Sequence, residues 1–305
     1  MESFRDAFGE ELVRIGEVRP DLVVLDVDVS TSTRTRMFAK KFPRRFIQLG
    51  ISEQDAVSTA AGLAVAGKTP VLAGFAMFLM RAWEQIRNAI SRDNLNVKIV
   101  GTHSGFSDHM DGSSHQCLED IALMRVLPNF TVVCPADAWA TRCLLNQVIE
   151  RTGPCYLRLG RDNAPKIYDQ EELELGKASI LADGSDVSLI SCGPTLEICL
   201  EAAEELRSRG FSCLVLDLHT IKPLDEHSIV QAANTNGIVV VEEHRVHGGL
   251  GSAVAEVVSE RRPTRVVRIG VRDGFGRSSR RYEDLLSLHG ITKENVLRAV
   301  EVLMR

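Results

Sequence analysis

Short runs rich in apolar and β-branched residues, with little polar alternation, recur along this 305-residue chain, and each is followed by a segment with helical spacing. Leu22-Val23-Val24-Leu25, Val97-Lys98-Ile99-Val100, Thr131-Val132-Val133 and Val187-Ser188-Leu189-Ile190 are examples. A strand with one wet face alternates polar and apolar residues, whereas these runs need cover on both faces. Helices interposed between parallel strands supply that cover. The pattern predicts an α/β chain with two domains, each a mostly parallel sheet flanked by helices. Strands are expected at 22–25, 46–49, 70–73, 97–100, 131–133 and 155–159, and again at 187–190, 213–216, 237–241 and 265–269. Helices are expected at 4–15, 53–66, 78–90, 117–125 and 138–150, and then at 195–209, from Asp225, and at 252–261, 281–289 and 293–304. Residues 28–36 and 102–116 read as polar loops. The stretch 162–185 is polar and Gly-spotted and reads as the crossing. The expected division is a first domain over 1–165, a linker over 166–185 and a second domain over 186–305.

Composition removes several classes of function. Net charge is −5, with Lys and Arg dispersed, so the clustered basic face that nucleic acid requires is absent and no nucleic-acid partner is expected. The seven cysteines occur singly, mostly inside apolar patterns, which reads as buried thiols in a reducing compartment. The first residues lack the basic-then-apolar order of a signal peptide. The longest apolar stretch, 62–80, is broken by Lys68 and Pro70 and is too interrupted for a membrane span. A cytoplasmic protein with no membrane partner is the expectation.

Ligands of open parallel sheets bind off the carboxyl ends of the strands. In the first domain those ends are 26–33, 50–53, 74–81, 101–116 and 160–161. They carry Asp26, Asp28, Ser30 and Ser32, then Glu53, then Phe75, Phe78 and Arg81. The later ends carry His103, Asp108, His109, Asp111, His115 and Arg161. Glu53 opens a helix directly after a strand taken to be buried, where an acid faces the positive end of the helix dipole. Alone it reads as an ordinary helix-start acid; its company at the same sheet edge argues for more. The loop 102–116 holds three histidines as H-x5-H-x5-H, with two aspartates among them. A metal site and a polar substrate pocket are both compatible with these residue types, but the spacing favours the pocket, and no metal ligand is assigned in this chain. The turn His247-Gly248-Gly249-Leu250-Gly251-Ser252 admits two readings, a phosphate cradle or a tight turn packing a helix on its sheet. The adjoining Glu242, Glu243, His244 and Arg245 read as a solvated or subunit-facing edge.

Several motifs occur in order: Gly50-Ile51-Ser52-Glu53-Gln54, Phe78-Leu79-Met80-Arg81-Ala82-Trp83-Glu84-Gln85-Ile86-Arg87, Asp111-Gly112-Ser113-Ser114-His115-Gln116, Pro135-Ala136-Asp137, and Val241-Glu242-Glu243-His244-Arg245 running into the glycine turn. Together they resemble the carboxyl-terminal part of a transketolase, over nearly the whole chain. The resemblance implies a pyrimidine-binding domain followed by a transketolase C-terminal-like domain, with thiamine diphosphate as cofactor. Full-length transketolases hold the cofactor diphosphate through Mg²⁺ on an amino-terminal domain with a Gly-Asp-Gly, a tripeptide this sequence does not contain. The implication is one half of a split transketolase. Its partner would be an N-terminal subunit that holds most of the Mg²⁺ site, in an α2β2 heterotetramer that acts on sugar phosphates.

Carried over position by position, Glu53 matches the glutamate that hydrogen-bonds N1′ of the aminopyrimidine. A proton kept there favours the 4′-imino form, and shielding from water is expected to raise the carboxyl's pKa. Phe78 matches the ring that stacks on the pyrimidine, and Phe75 and Trp83 either extend that wall or are plain core. Arg81 departs from typical transketolases towards the deoxyxylulose-phosphate synthase branch. His115 and Asp111 match residues that hold sugar hydroxyls near C2, His115 with a catalytic part. His103 and Arg161 match the grip on the sugar phosphate. Arg5 and Ser32 fall at further phosphate contacts, although for Arg5 a solvated first-helix arginine is the plain alternative. Asp28 fits an aspartate upstream of that serine. His109 has no counterpart, which leaves room for a sugar other than the common pentose and hexose phosphates. The implied reaction moves a two-carbon ketol unit from a ketose to an aldose. Two alternatives belong to the same superfamily: the beta subunit of a 2-oxo-acid dehydrogenase and a deoxyxylulose-phosphate synthase. A non-catalytic relative that kept the fold is a third.

Overall fold

The computed structural model describes residues 2–161 and 165–305. Residues 162–164, the start of the expected crossing, lie outside the described residues.

In chain order the strands are β1 Leu22–Asp26, β2 Phe46–Gln48, β3 Thr69–Phe75, β4 Lys98–Thr102, β5 Thr131–Val133 and β6 Cys155–Arg158. They continue with β7 Ser179–Ala182, β8 Val187–Ser191, β9 Cys213–Asp217, β10 Thr220–Lys222, β11 Ile238–Arg245 and β12 Val266–Val271. A seven-stranded sheet runs β10-β5-β6-β4-β3-β1-β2, and a five-stranded sheet runs β12-β11-β8-β9-β7. Pairing is parallel except for β10 on β5 and β7 on β9. The α/β expectation holds for both halves, and its cause is visible in β1, β4, β5, β6, β8 and β9, buried at every position.

Register decides where the loops emerge. Asp26 stands beside Gln48 on one side and Ala73 on the other. Phe75 stands beside Thr102, and Gly101 beside Arg158. The carboxyl ends of β1, β2, β3, β4 and β6 therefore form one edge, from which the polar loops of the first half leave together.

The helix Phe4–Val18 lies under that sheet. Ser3 caps it, accepting from the amides of Arg5 at 3.2 Å and Asp6 at 3.5 Å. Phe8 and Leu12 on its inner face are fully buried. Each such side chain contributes about 2 kcal/mol of transfer free energy. This fixes the first turn, and Arg5 with it, against the sheet edge. Among the described residues no helix is long and apolar enough to cross a membrane.

Several details depart from the sequence expectations. β2 is an edge strand, partly exposed throughout, so the strand before Gly50 is not a buried one. The loop expected at 28–36 contains two helical segments, Ser30–Thr33 and Thr35–Lys41, hinged at Arg34 with φ +70°. The helix expected at 78–90 is a broken series of turns: α-helical over Ala76–Leu79 and Trp83–Gln85, tighter over Met80–Ala82, wider over Ile86–Ser91. The helix expected at 117–125 begins only at Asp120. The stretch read as a linker over 166–185 carries β7, which pairs with β9.

Two departures matter for the site. The first is β10, a three-residue strand from the second half that pairs antiparallel with β5 and so completes the first sheet. The second is that β11 runs on to Arg245, so Glu242, Glu243 and His244, at 0%, 4% and 0% exposure, are buried and do not form a solvated edge. Charged residues are interior only when their polar atoms are paired. Glu242 accepts from the amides of Leu250 at 2.7 Å and Gly251 at 2.9 Å, capping the helix Leu250–Arg261 from inside. That internal carboxylate fills the anion position of the glycine turn. The turn is a packing device and not a phosphate cradle.

Candidate active site

The edge formed by β1, β2, β3, β4 and β6 brings the sequence candidates close to one another, by identifiable local causes. At the end of β1, Asp26 is fully buried and serves as a knot. It accepts from the amide of Val29 and the Gln48 side chain through Oδ1, and from the hydroxyls of Thr33 and Thr35 through Oδ2. This folds 28–35 back over the sheet and presents the carbonyl of Ser32. Asp28 is exposed, at φ +68°, with its amide donating to Gln48 Oε1 at 2.8 Å.

Gly50, at φ +71°, lets the chain leave β2 in a conformation that side chains other than glycine adopt only with strain. Three residues later Glu53 opens the helix Glu53–Val65, only 6% exposed. No hydrogen bond or ion pair within the described residues engages its carboxylate. An acid that the fold largely covers and leaves without a bond of its own is placed to meet a ligand.

Phe75 ends β3 and Phe78 follows one helical turn on; their rings stack with centroids 4.9 Å apart. His115 meets Phe78 edge-on at 5.3 Å, and His103 lies over Phe75 at 3.6 Å. Both phenylalanines are half-buried, which leaves ring surface for a flat ligand. Trp83 does not extend that wall. Its indole nitrogen donates to the carbonyl of Leu123 at 2.8 Å, away from the stack. Arg81 is exposed on the tight turn Met80–Ala82 and contacts none of these rings by any hydrogen bond or ion pair of the described residues.

His103, at φ +55° and 2% exposure, is the centre of the polar cluster. Its Nδ1 lies 2.9 Å from the Thr102 hydroxyl, which itself donates to the carbonyl of Gly74. That relay makes Nδ1 the protonated nitrogen and Nε2 an acceptor, facing Arg5 Nη1 at 3.5 Å. Burial first, then the charges of Arg5 and Arg161, push its pKa down to about 2, so the ring is neutral at physiological pH.

Arg5 reaches in from the first helix, its Nε donating to the carbonyl of Arg161 at 2.6 Å and its Nη1 to that of Ser32 at 2.9 Å. It is thus part of the cluster and not a solvated helix arginine. Arg161 pairs with Asp108 at 2.6 Å. Burial, followed by the neighbouring carboxylate of Asp111, raises the Asp108 pKa against the pull of Arg161. Asp111 itself is exposed, and His115 is half-buried with Nδ1 3.0 Å from the Ser114 hydroxyl.

His109, 9% exposed, is tied to the second half of the chain. Its Nδ1 donates to the carbonyl of Ser279 in the second half, at 3.0 Å. Among the described residues no group of three or more His, Cys, Asp or Glu is placed to hold a metal ion. Gln48 and Thr102 were invisible in the sequence as site residues. Each acts by orienting a neighbour, a role that carries no motif of its own.

Chemically, this edge offers a shielded carboxyl, an aromatic wall and, next to that wall, two guanidinium groups oriented around a neutral imidazole. A planar heterocycle and an anion are the ligands that such groups suit.

Comparison with known proteins agrees with that chemistry. Residues 2–166 match the model of the transketolase pyrimidine-binding domain, and residues 176–296 match that of the transketolase C-terminal domain. A protein of Methanocaldococcus jannaschii, provisionally named a transketolase C-terminal section, is 42% identical over 304 residues, 98% of this chain and 95% of its own length. The 6-deoxy-6-sulfo-D-fructose transketolase subunit SqwH of Clostridium sp. strain MSTE9 is 36% identical over 298 residues, 97% of this chain and 92% of its own. A solved structure described as an inactive β4 tetramer of a split-gene transketolase superposes with a TM-score of 0.92 at 44% identity, covering 100% of this chain and 99% of that one.

Proposed function

Because the chain belongs to the transketolase family, we propose that it is the carboxyl-terminal subunit of a two-chain transketolase. It transfers a two-carbon ketol unit from a ketose phosphate to an aldose, with thiamine diphosphate as cofactor. The domains it contributes are the pyrimidine-binding domain over 1–165 and the C-terminal-like domain, which takes in β7 and so begins ahead of Ser179 and not at 186.

One observation carries the reading: Glu53, buried and without an internal partner, shares a sheet edge with the Phe75–Phe78 stack and the Arg5–His103–Arg161 cluster. These residues fit an aminopyrimidine and an adjoining phosphorylated sugar. When bound, thiamine diphosphate supplies the electron sink for cleaving a ketose C2–C3 bond.

The protein's own part follows from its groups. Glu53 holds a proton at N1′ of the aminopyrimidine, with the helix N-terminus behind it. Phe78, backed by Phe75, presents a flat apolar face to the same ring, and the exposed Arg81 on the turn that follows is assigned to the cofactor as well. Asp111 and His115 engage the sugar hydroxyls near the bond that breaks, and His115 can pass a proton there. Arg5 and Arg161 meet the distal phosphate. Neutral His103 adds no charge; its Nε2 accepts from Arg5 and orients that guanidinium, while Ser32 and Asp28 shape the rim. Cations held in place before the substrate arrives need no reorganisation when it binds.

The names of the relatives support a partner: a C-terminal section, a subunit, and a split-gene enzyme inactive as β4. In this reading the second chain supplies the diphosphate and Mg²⁺ site, in an α2β2 heterotetramer. The sulfosugar subunit among the relatives widens the candidate donors beyond pentose phosphates. The test is ketol transfer from xylulose 5-phosphate to ribose 5-phosphate, with thiamine diphosphate and Mg²⁺, by the chain alone and with an N-terminal transketolase subunit. Turnover in the mixture alone is expected. Full turnover by the single chain refutes the split arrangement, and decarboxylation of a 2-oxo acid in its place refutes the ketol reaction.

A further inference from the structure

The loop between β4 and the helix Asp120–Arg125 carries Asp108, Asp111 and His115, yet much of what holds it comes from the second half of the chain. Glu243, on β11, accepts from the amide of Phe106 at 2.5 Å. Its carboxyl occupies the space beside Gly105, at φ +61°, where a Cβ would stand 2.4 Å from the carboxyl carbon. At the loop's middle, the amide of Ser279 donates to the carbonyl of His109 at 2.8 Å, and His109 Nδ1 donates back to the carbonyl of Ser279. At its end, the Gln116 side chain donates to the carbonyl of Arg277 at 2.9 Å. The ring of Phe106 also stacks on His289, with centroids 4.9 Å apart.

These attachments have a common logic. The loop is short of regular structure of its own, so its backbone must find partners elsewhere or in water. The segment 272–281 and the end of β11 provide them. Glu243 is itself held: the carbonyl of the same residue accepts from Arg158 at 3.0 Å, and Arg158 pairs with Asp120 at 2.9 Å. The carboxyl is buried, and that burial raises its pKa to about 7. A group so costly to bury, placed on one loop amide, marks a position under constraint.

We propose that the second half positions the substrate loop, with Glu243 and the His109–Ser279 pair acting as positioning residues that hold Asp111 and His115 in register with the sheet edge. The proposal rests on the transketolase reading for its effect on substrate, but the holding of the loop stands apart from it. His109 then serves as a latch between the two halves.

The experiment has two readouts. Deuterium uptake of peptides spanning 105–116 is followed in the chain by itself for wild type, Glu243→Leu and His109→Leu. Uptake about tenfold faster in both variants is expected, with the helix Ala138–Glu150 unchanged. The same variants are then combined with the N-terminal subunit. KM for the ketose phosphate is expected to rise about tenfold and kcat to fall with it, since the loop carries both Asp111, which binds, and His115, which passes a proton. Glu243→Gln, which keeps an acceptor oxygen for Phe106, should restore both values. Folded variants with unaltered uptake overturn the proposal, as does faster uptake with KM unchanged. If Glu243→Leu does not fold, His109→Leu carries the same test. Absence of ketol transfer in the wild-type mixture would count against the functional reading alone, since the exchange result does not depend on it.

Discussion

The ring of His103 lies flat on that of Phe75, centroids 3.6 Å apart and planes 21° from parallel. Phe75 belongs to the aromatic wall and His103 to the cationic cluster, so this single contact joins the two parts of the site. It follows from register, because Phe75 is paired with Thr102 across β3 and β4 and the next residue is His103. A slip of one residue would send these side chains to opposite faces.

Glu53→Ala should abolish function and spare the fold. Ketol transfer in the two-subunit mixture is expected to fall by about 100-fold or more, the usual scale for losing a proton-handling group. Thermal unfolding should change little, because the carboxylate makes no internal bond. An active variant, or one that simply unfolds, would contradict the role given to this residue.

Replacing Arg5 with Met removes a charge from the cluster while keeping the aliphatic stem. KM for a phosphorylated donor is expected to rise about tenfold, and for the unphosphorylated ketose hardly at all. Steady-state kinetics on the two donors gives the comparison. Equal effects on both would show that Arg5 serves the fold and not the phosphate.

The His103 ring gives the pH dependence of stability a definite sign. Its folded pKa, near 2, lies below the ordinary value of 6.5. The unfolded chain therefore binds the proton first, and stability present above pH 6.5 is lost as pH falls towards 2. His103→Gln removes that contribution. Urea unfolding at pH 7 and pH 5 should find the variant gaining on wild type at the lower pH, by on the order of 1 kcal/mol per unit.

Asp217 behaves in the opposite sense. Burial lifts its pKa from 3.8 to about 8, against the hydrogen bond from Tyr168 at 2.7 Å. The folded state holds the proton more tightly than the unfolded one, so stability declines as pH rises from about 4 to about 8. Asp217→Asn keeps an acceptor for Tyr168 and lacks this titration. Its melting temperature should overtake that of wild type towards pH 8, and a constant difference across the range would show that Asp217 does not titrate as described.

Gly249 tests the internal cap. A Cβ there would stand 2.0 Å from Glu242 Oε2 and 2.5 Å from His244 Nδ1. Gly249→Ala is expected to cost about 2 kcal/mol or more, as overpacked interiors do. Inorganic phosphate should not rescue it, because the carboxylate already occupies the helix end. Chemical denaturation with and without phosphate measures both.

Legibility in the sequence followed the range of the interactions involved. The α/β class could be read because β1, β4 and β8 are short stretches rich in apolar residues that lack polar–apolar alternation, a local signal with one physical cause. The candidates at the sheet edge could be read because a parallel sheet sends its carboxyl ends one way, and the family motifs fell on those ends. Glu242, Glu243 and His244 were misread as a wet edge, since charge is the local signal for surface. Their partners, the amides of Leu250, Phe106 and Ala122, are set by the fold. β10 escaped notice for a related reason: Thr220–Lys222 is too short to carry a pattern and exists by pairing with β5.

By itself, then, the sequence determined the two-sheet class, the helix that begins at Glu53 and the residues destined for one edge, because periodicity and motif order act over short stretches of chain. Only the tertiary structure decided that Arg5 leaves the solvent to face His103, that His109 is tied to Ser279, and that a buried Glu243 supports the loop. Each of those outcomes depends on which distant amide, carbonyl or charge stands opposite, and that is a property of the packed sheets.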